Sequence, residues 1–135
     1  MVQVELFKII MHENKHDQII ILKEKDGQRQ MPIIIGIAEA AAIKMKVSNL
    51  RCPRPLTHDL LSNLIEQIGA KLEQVIINKL EGNTFYARLM IRRKHDNILL
   101  DIDARPSDSI ALALRLNAPV FVEEEVFEKL QFLNG

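Results

Sequence analysis

Short runs of alternating hydrophobicity, two strong hairpin signals and several separate helix-forming stretches predict an α+β fold. The expected architecture is a mixed, largely antiparallel sheet with three to four helices packed on it, in a single domain over residues 1–135. A chain of 135 residues that is 47% hydrophobic can build one continuous core but hardly two.

Val2 to His12 alternates Val2, Val4 and Leu6 against Gln3 and Glu5, and Asp17 to Glu24 is rich in β-branched residues. Both read as strands joined by the polar stretch Glu13 to His16. Asp26-Gly27 marks a tight turn. Placing it at a hairpin tip sets Leu22 opposite Met31 and Ile20 opposite Ile33, which gathers apolar residues on one face of a third strand, Arg29 to Ile35. After Gly36 the alternation stops, and IAEAAAIKMKV reads as a helix ended by Ser48-Asn49.

In RCPRPLTHDLL two prolines force an extended approach, and Thr57 is the expected N-cap of a second helix. Leu60, Leu61, Leu64, Ile65 and Ile68 recur on one face of it, the pattern of a core-facing stripe, and Gly69 closes it. Val75 to Leu80 and Thr84 to Arg93 read as strands around Glu81 to Asn83. A further hairpin leads to Ile98 through Ala104. With His95-Asp96 as its loop, Ile91 faces Leu100, Leu89 faces Ile102 and Ala87 faces Ala104, and the opposite face sets Arg88 against Asp103. Pro106 to Asn117 is a helix so apolar that more than one side must be buried. Pro119 to Val122 is a closing strand, and Glu123 to Leu133 a last amphipathic helix.

Composition narrows the function. Eighteen acidic residues balance eighteen basic ones, so no global field draws in nucleic acid or an anionic membrane, and polyanion binding must be local. The single cysteine, Cys52, cannot form an internal disulfide, and Pro53 and Arg54 follow it rather than a base. It is read as a small buried hydrophobe. The N-terminal sequence lacks the features of a signal peptide and no apolar run could cross a bilayer, so the expectation is a cytoplasmic protein with no membrane partner.

Polar residues concentrate at two Arg-Pro turns that each lead into a helix. A helix start leaves backbone N–H groups free at the positive end of the macrodipole, and a preceding arginine makes it a ready anion site. Arg54, Arg105 and Ser107 are therefore the expected phosphate-binding residues. The plainer alternative pairs Arg54 with Asp59 and Arg105 with Asp103. Asp101 and Asp103 point to one side of a strand, so they could share a divalent ion, magnesium or manganese, with Asp108 near enough to join. Here the plainer alternative is a salt-bridge ladder with Arg88. His58 could move a proton, although its neighbour Asp59 cannot face it on a helix. Glu39 is the one acid between Asp26 and Asp59 and sits in the first turn of an Ala-rich helix. His12, His16 and His95 fall in turns without metal-site spacing. Tyr86, Arg88, Arg92 and Lys94 form a basic strand face with one stacking ring, a weak nucleic-acid track.

The segments PIIIGIAEAAAI, PRPLTHDLL, TFYARLMI, IDARPSDSIALAL and APVFV, in this order from Pro32 to Val122, resemble the bifunctional nuclease domain family. Ser109 stands where that pattern is expected to carry alanine. The resemblance implies an α+β domain that dimerises, and a nuclease acting on DNA and RNA. Its motif positions fall on Glu39, Arg54, His58, Asp59, Asp101, Asp103, Arg105, Ser107 and Asp108. The implied enzyme is a phosphodiester hydrolase with Glu39, His58, Asp59, Asp101, Asp103 and Asp108 as catalytic candidates. The competing function is a non-catalytic binding or regulatory module that holds a phosphorylated or anionic ligand. A homodimer or higher homo-oligomer is also expected from the residues themselves, through apolar surface left at the N-terminal hairpin and the C-terminal helix.

Overall fold

The computed structural model describes residues 1–12 and 14–134, with side chains as far as residue 130. Its elements are β1 (Val2–Ile10), β2 (Asp17–Glu24), β3 (Gln30–Gly36), α1 (Ile37–Val47), α2 (Thr57–Gln67), β4 (Ala70–Glu81), β5 (Thr84–Arg93), β6 (Leu99–Ala104), α3 (Pro106–Leu116), β7 (Val120–Val122) and α4 (Glu124–Asn134). The seven strands form one sheet in the order β3-β2-β1-β7-β4-β5-β6. Every neighbouring pair is antiparallel except β4 and β7. The fold is thus the expected α+β arrangement with a mixed, mostly antiparallel sheet. Of the expected connection 13–16, Glu13 lies outside the described residues.

Both hairpins take the register that apolar matching demands. Leu22 faces Met31 and Ile20 faces Ile33, while Ile91 faces Leu100, Leu89 faces Ile102 and Arg88 faces Asp103. The three-residue strand β7 joins these halves, pairing Val2–Val4 of β1 on one side and Val75–Ile77 of β4 on the other. Strand β4 begins five residues before the expected Val75. Irregularities at Leu72/Gln74 and Ile77/Lys79 keep Leu72, Val75, Ile77 and Leu80 on the core side although their spacing is not a strict two.

The helices all contribute to the core on one face of the sheet. Ala40 and Ile43 of α1, Ile110 and Ala111 of α3, and Val126 and Phe127 of α4 pack with Val4, Leu22, Ile33, Ile77, Ala87 and Val122. Ile65 of α2 and Leu112 and Ala113 of α3 pack over Leu72, Val75, Leu89 and Ile91. Each fully buried Leu, Ile or Phe side chain contributes about 1.5–3 kcal/mol. Arg29 fastens the first hairpin to α4: it donates to Glu24 and Glu124 and lies over the Phe127 ring. Ser109, fully buried, donates from Oγ to the Arg105 carbonyl at 2.8 Å, so the hydroxyl at this position is satisfied inside the helix.

Helix α2 departs from expectation in two ways. Leu56, not Thr57, is its N-cap, and the start is held by the Asp59 carboxylate, which accepts from the Leu56 N–H at 3.0 Å. Its buried stripe is His58, Ser62 and Ile65, whereas Leu60, Leu64 and Ile68 are 60%, 52% and 62% exposed. The apolar pattern was real, but most of it faces outward. Cys52 is exposed rather than buried, because the proline-flanked connection runs over the surface. No described helix is long and apolar enough to cross a membrane.

Candidate functional site

The first turns of α1, α2 and α3 each carry an acidic residue, Glu39, Asp59 and Asp108, and none of the three helices has a side-chain acceptor at its N-cap. Carboxylates in the first turn answer the positive helix ends from inside. Gly36 makes room for one of them, since the Glu39 carboxylate folds back into the space a Cβ would fill there.

Four of the expected residues meet in a line. His58 Nε2 lies 2.9 Å from Asp108 Oδ1. Arg105 Nε donates to Asp108 Oδ2 at 2.9 Å, and its Nη2 donates to Glu39 Oε1 at 2.9 Å. The His58 side chain is 11% exposed and that of Arg105 66%, so the line runs from a buried imidazole to an open guanidinium. Burial pushes the Asp108 carboxyl up, but hydrogen bonds from His58 and Arg105 and their charges outweigh it, leaving the group below its ordinary value. The hydrogen bonds to Asp108 and then Glu39 raise the Arg105 guanidinium. All four residues border a cleft of about 820 Å³ whose walls include Leu61, Leu64, Leu100 and Ile102.

Asp59 lies beside His58 in sequence but faces away. Arg115 Nε donates to Asp59 Oδ1 at 2.7 Å, and the same guanidinium donates to the carbonyls of Ala111 and Ala42 at 3.1 and 3.3 Å. The Arg115 hydrogen bond, then that of the Leu56 N–H, holds the Asp59 carboxyl low. With its side chain 6% exposed, Arg115 ties α1, α2 and α3 together. It is not among the residues expected from the sequence, although a lone cation inside IALALRL signals a buried charge in need of partners.

The remaining candidates are elsewhere. Arg105 pairs with Asp108 and Glu39 rather than Asp103, and Asp59 is taken by Arg115 rather than Arg54. Arg54 lines a different cleft with Lys46, Arg51 and Arg115. Ser107 is buried at the second position of α3 and borders a third cleft with Ile35 and Phe85. Asp101 and Asp103 alternate with the core-facing residues of β6, on the sheet face away from the helices, so Asp108 does not join them. Both converge on Arg88, at 2.6 Å from Nε and 3.5 Å from Nη1. Among the described residues no three His, Cys, Asp or Glu side chains gather as a metal ion would require. A carboxylate pair already sharing a guanidinium does not fit a resident divalent ion.

These features define an α+β domain whose three helix starts bring a histidine–aspartate pair and an exposed arginine to one cleft. The chain belongs to the bifunctional nuclease domain family, whose sequence profile matches residues 20–134. An uncharacterized protein of Mycobacterium tuberculosis is 40% identical over 131 residues, covering 97% of this chain and 77% of that protein. Bifunctional nuclease 1 of Oryza sativa subsp. japonica is 27% identical over 109 residues, covering 79% of this chain and 33% of the rice protein. Bifunctional nuclease 2 of Arabidopsis thaliana is 24% identical over 107 residues, covering 78% and 32%.

Proposed function

We propose that this domain is a nuclease that hydrolyses phosphodiester bonds of DNA or RNA in the cleft bordered by Glu39, His58, Arg105 and Asp108. The observation that carries the reading is the 2.9 Å contact between His58 Nε2 and Asp108. A carboxylate accepting from Nε2–H fixes that tautomer and leaves the Nδ1 lone pair to take a proton from an attacking water. Arg105 uses two N–H groups on Asp108 and Glu39, which holds its plane, and the rest of its five donors remain for phosphoryl oxygens. Guanidinium charge at that point offsets the charge that builds on the phosphoryl group as water adds and the P–O bond to the leaving oxygen breaks, and the protonated imidazole, directly or through solvent, returns its proton to that oxygen. The names of the plant relatives support the same chemistry.

The reading includes a cytoplasmic homodimer. Support for pairing comes from exposed apolar side chains on α2, Leu60, Leu64 and Ile68, and on the N-terminal strands, where Phe7 and Ile34 are 51% and 67% exposed, whereas Val126 and Phe127 of α4 are buried. The test of the enzymatic reading is cleavage of labelled single- and double-stranded DNA and RNA by highly purified protein. His58→Asn should abolish it while circular dichroism stays unchanged, and equal cleavage by both proteins would refute it.

A further inference from the structure

On the other flank of α2, a cleft of about 550 Å³ opens between the α1–α2 connection, α2 and the end of α3. Four cations line it, Lys46, Arg51, Arg54 and Arg115, against two carboxylates, Asp59 and Glu66. The chain as a whole has zero formal net charge, so this is a local excess of two positive charges. Arg115 and Asp59 satisfy each other. Lys46, Arg51 and Arg54 make no ion pair among the described residues.

Unpaired surface cations are ordinary when they are scattered in solvent. Here three of them border one concavity, and a second feature beside it is not ordinary. Ser62, 8% exposed and also lining the cleft, has a buried Oγ without a hydrogen-bond partner among the described residues. A serine on a helix commonly turns its hydroxyl to a carbonyl one turn back. Leaving it unpaired in a buried position is costly, and an acceptor entering the cleft would relieve that cost after a rotation about χ1.

We propose that this cleft binds a phosphate monoester, the terminal phosphate of a small phosphorylated molecule, with Lys46, Arg51 and Arg54 neutralising it and Ser62 donating to it. A monoester carries close to two negative charges at neutral pH and matches the local excess, whereas each phosphodiester unit brings one. Arginine suits this role because its planar fork meets two phosphate oxygens at once. The cleft also falls within the size range of small-ligand sites. His58 and Asp108 do not line it, so the site stands or falls separately from the hydrolase reading.

Calorimetry and thermal melts on the full chain decide it, using adenosine 5′-monophosphate, inorganic phosphate and adenosine at constant ionic strength. The monophosphate should bind saturably and raise Tm, inorganic phosphate should do so more weakly, and adenosine should do neither. The double variant Arg51→Ala/Arg54→Ala should lose at least about tenfold in affinity while its ligand-free Tm holds, because both side chains are exposed. Ser62→Ala should move in opposite directions, with a higher ligand-free Tm and several-fold weaker binding. His58→Asn should bind as wild type does, even if it cleaves nothing. Adenosine binding as well as its monophosphate, or equal monophosphate affinity in the wild type and the double arginine variant, overturns the proposal.

Discussion

Asp108 accepts from a histidine and an arginine at the same time, and the folded chain therefore holds it ionised. Its carboxyl lies below the ordinary value of 3.8, so the stability it contributes is fully present above that value and is lost as pH falls through the lower, folded one. Asp108→Asn removes this linkage. Melts from about pH 7 down to about pH 2 should show wild type ahead near neutrality and the gap closing on acidification below about pH 4. A gap that stays constant would mean the carboxylate is not what stabilises the pair. Asp59 makes a different case, because removing it strands the buried Arg115. Asp59→Ala should cost about 1–2 kcal/mol in a denaturant titration, less than a fully buried pair because the Asp59 side chain is 40% exposed and Arg115 keeps two carbonyl acceptors. The sequence showed each of these acids but not its partner. His58 and Asp108 are fifty positions apart, and nothing short of the packing of α2 on α3 brings them together.

At the level of elements, the legible parts were those governed by local matching. Apolar pairing sufficed to set both hairpin registers, including Arg88 against Asp103. Longer-range placement was not legible: β7 has three residues and no pattern that says it will sit between β1 and β4. Amphipathicity likewise marks a face without saying what covers it, which is why α2 could be drawn with its leucines inward. The β5–β6 hairpin bears on the chemistry through Asp101, which Arg88 engages on the face away from the helices. Asp101→Asn should lower Tm slightly, since the pair is exposed, and millimolar magnesium should leave the wild-type Tm unchanged. A magnesium-dependent rise that the variant loses would restore a metal to this strand.

For the molecule as a whole, a balanced charge and an apolar cleft wall describe a protein that does not gather polyanions over long range. The exposed stripe on α2 carries Leu60, Leu64 and Ile68; Leu64 and Ile68 also line the cleft, so a homodimer that leaves the cleft open would be centred on Leu60. Leu60→Glu should then shift sedimentation from dimer to monomer at micromolar concentration while leaving the far-ultraviolet spectrum intact. A variant that remains dimeric would move the interface elsewhere.

The central claim is that His58, oriented by Asp108, moves a proton during phosphodiester cleavage beside Arg105. It is tested most directly by single-turnover cleavage of a labelled single-stranded oligonucleotide by wild type, His58→Asn and Arg105→Ala, each purified in parallel and checked for folding. The account predicts that the histidine variant loses at least about 100-fold in rate, the scale of general acid–base catalysis. Arg105→Ala should lose a comparable factor through weaker stabilisation of the transferring phosphoryl group. Cleavage that is undetectable in wild type, or undiminished in folded His58→Asn, would contradict it.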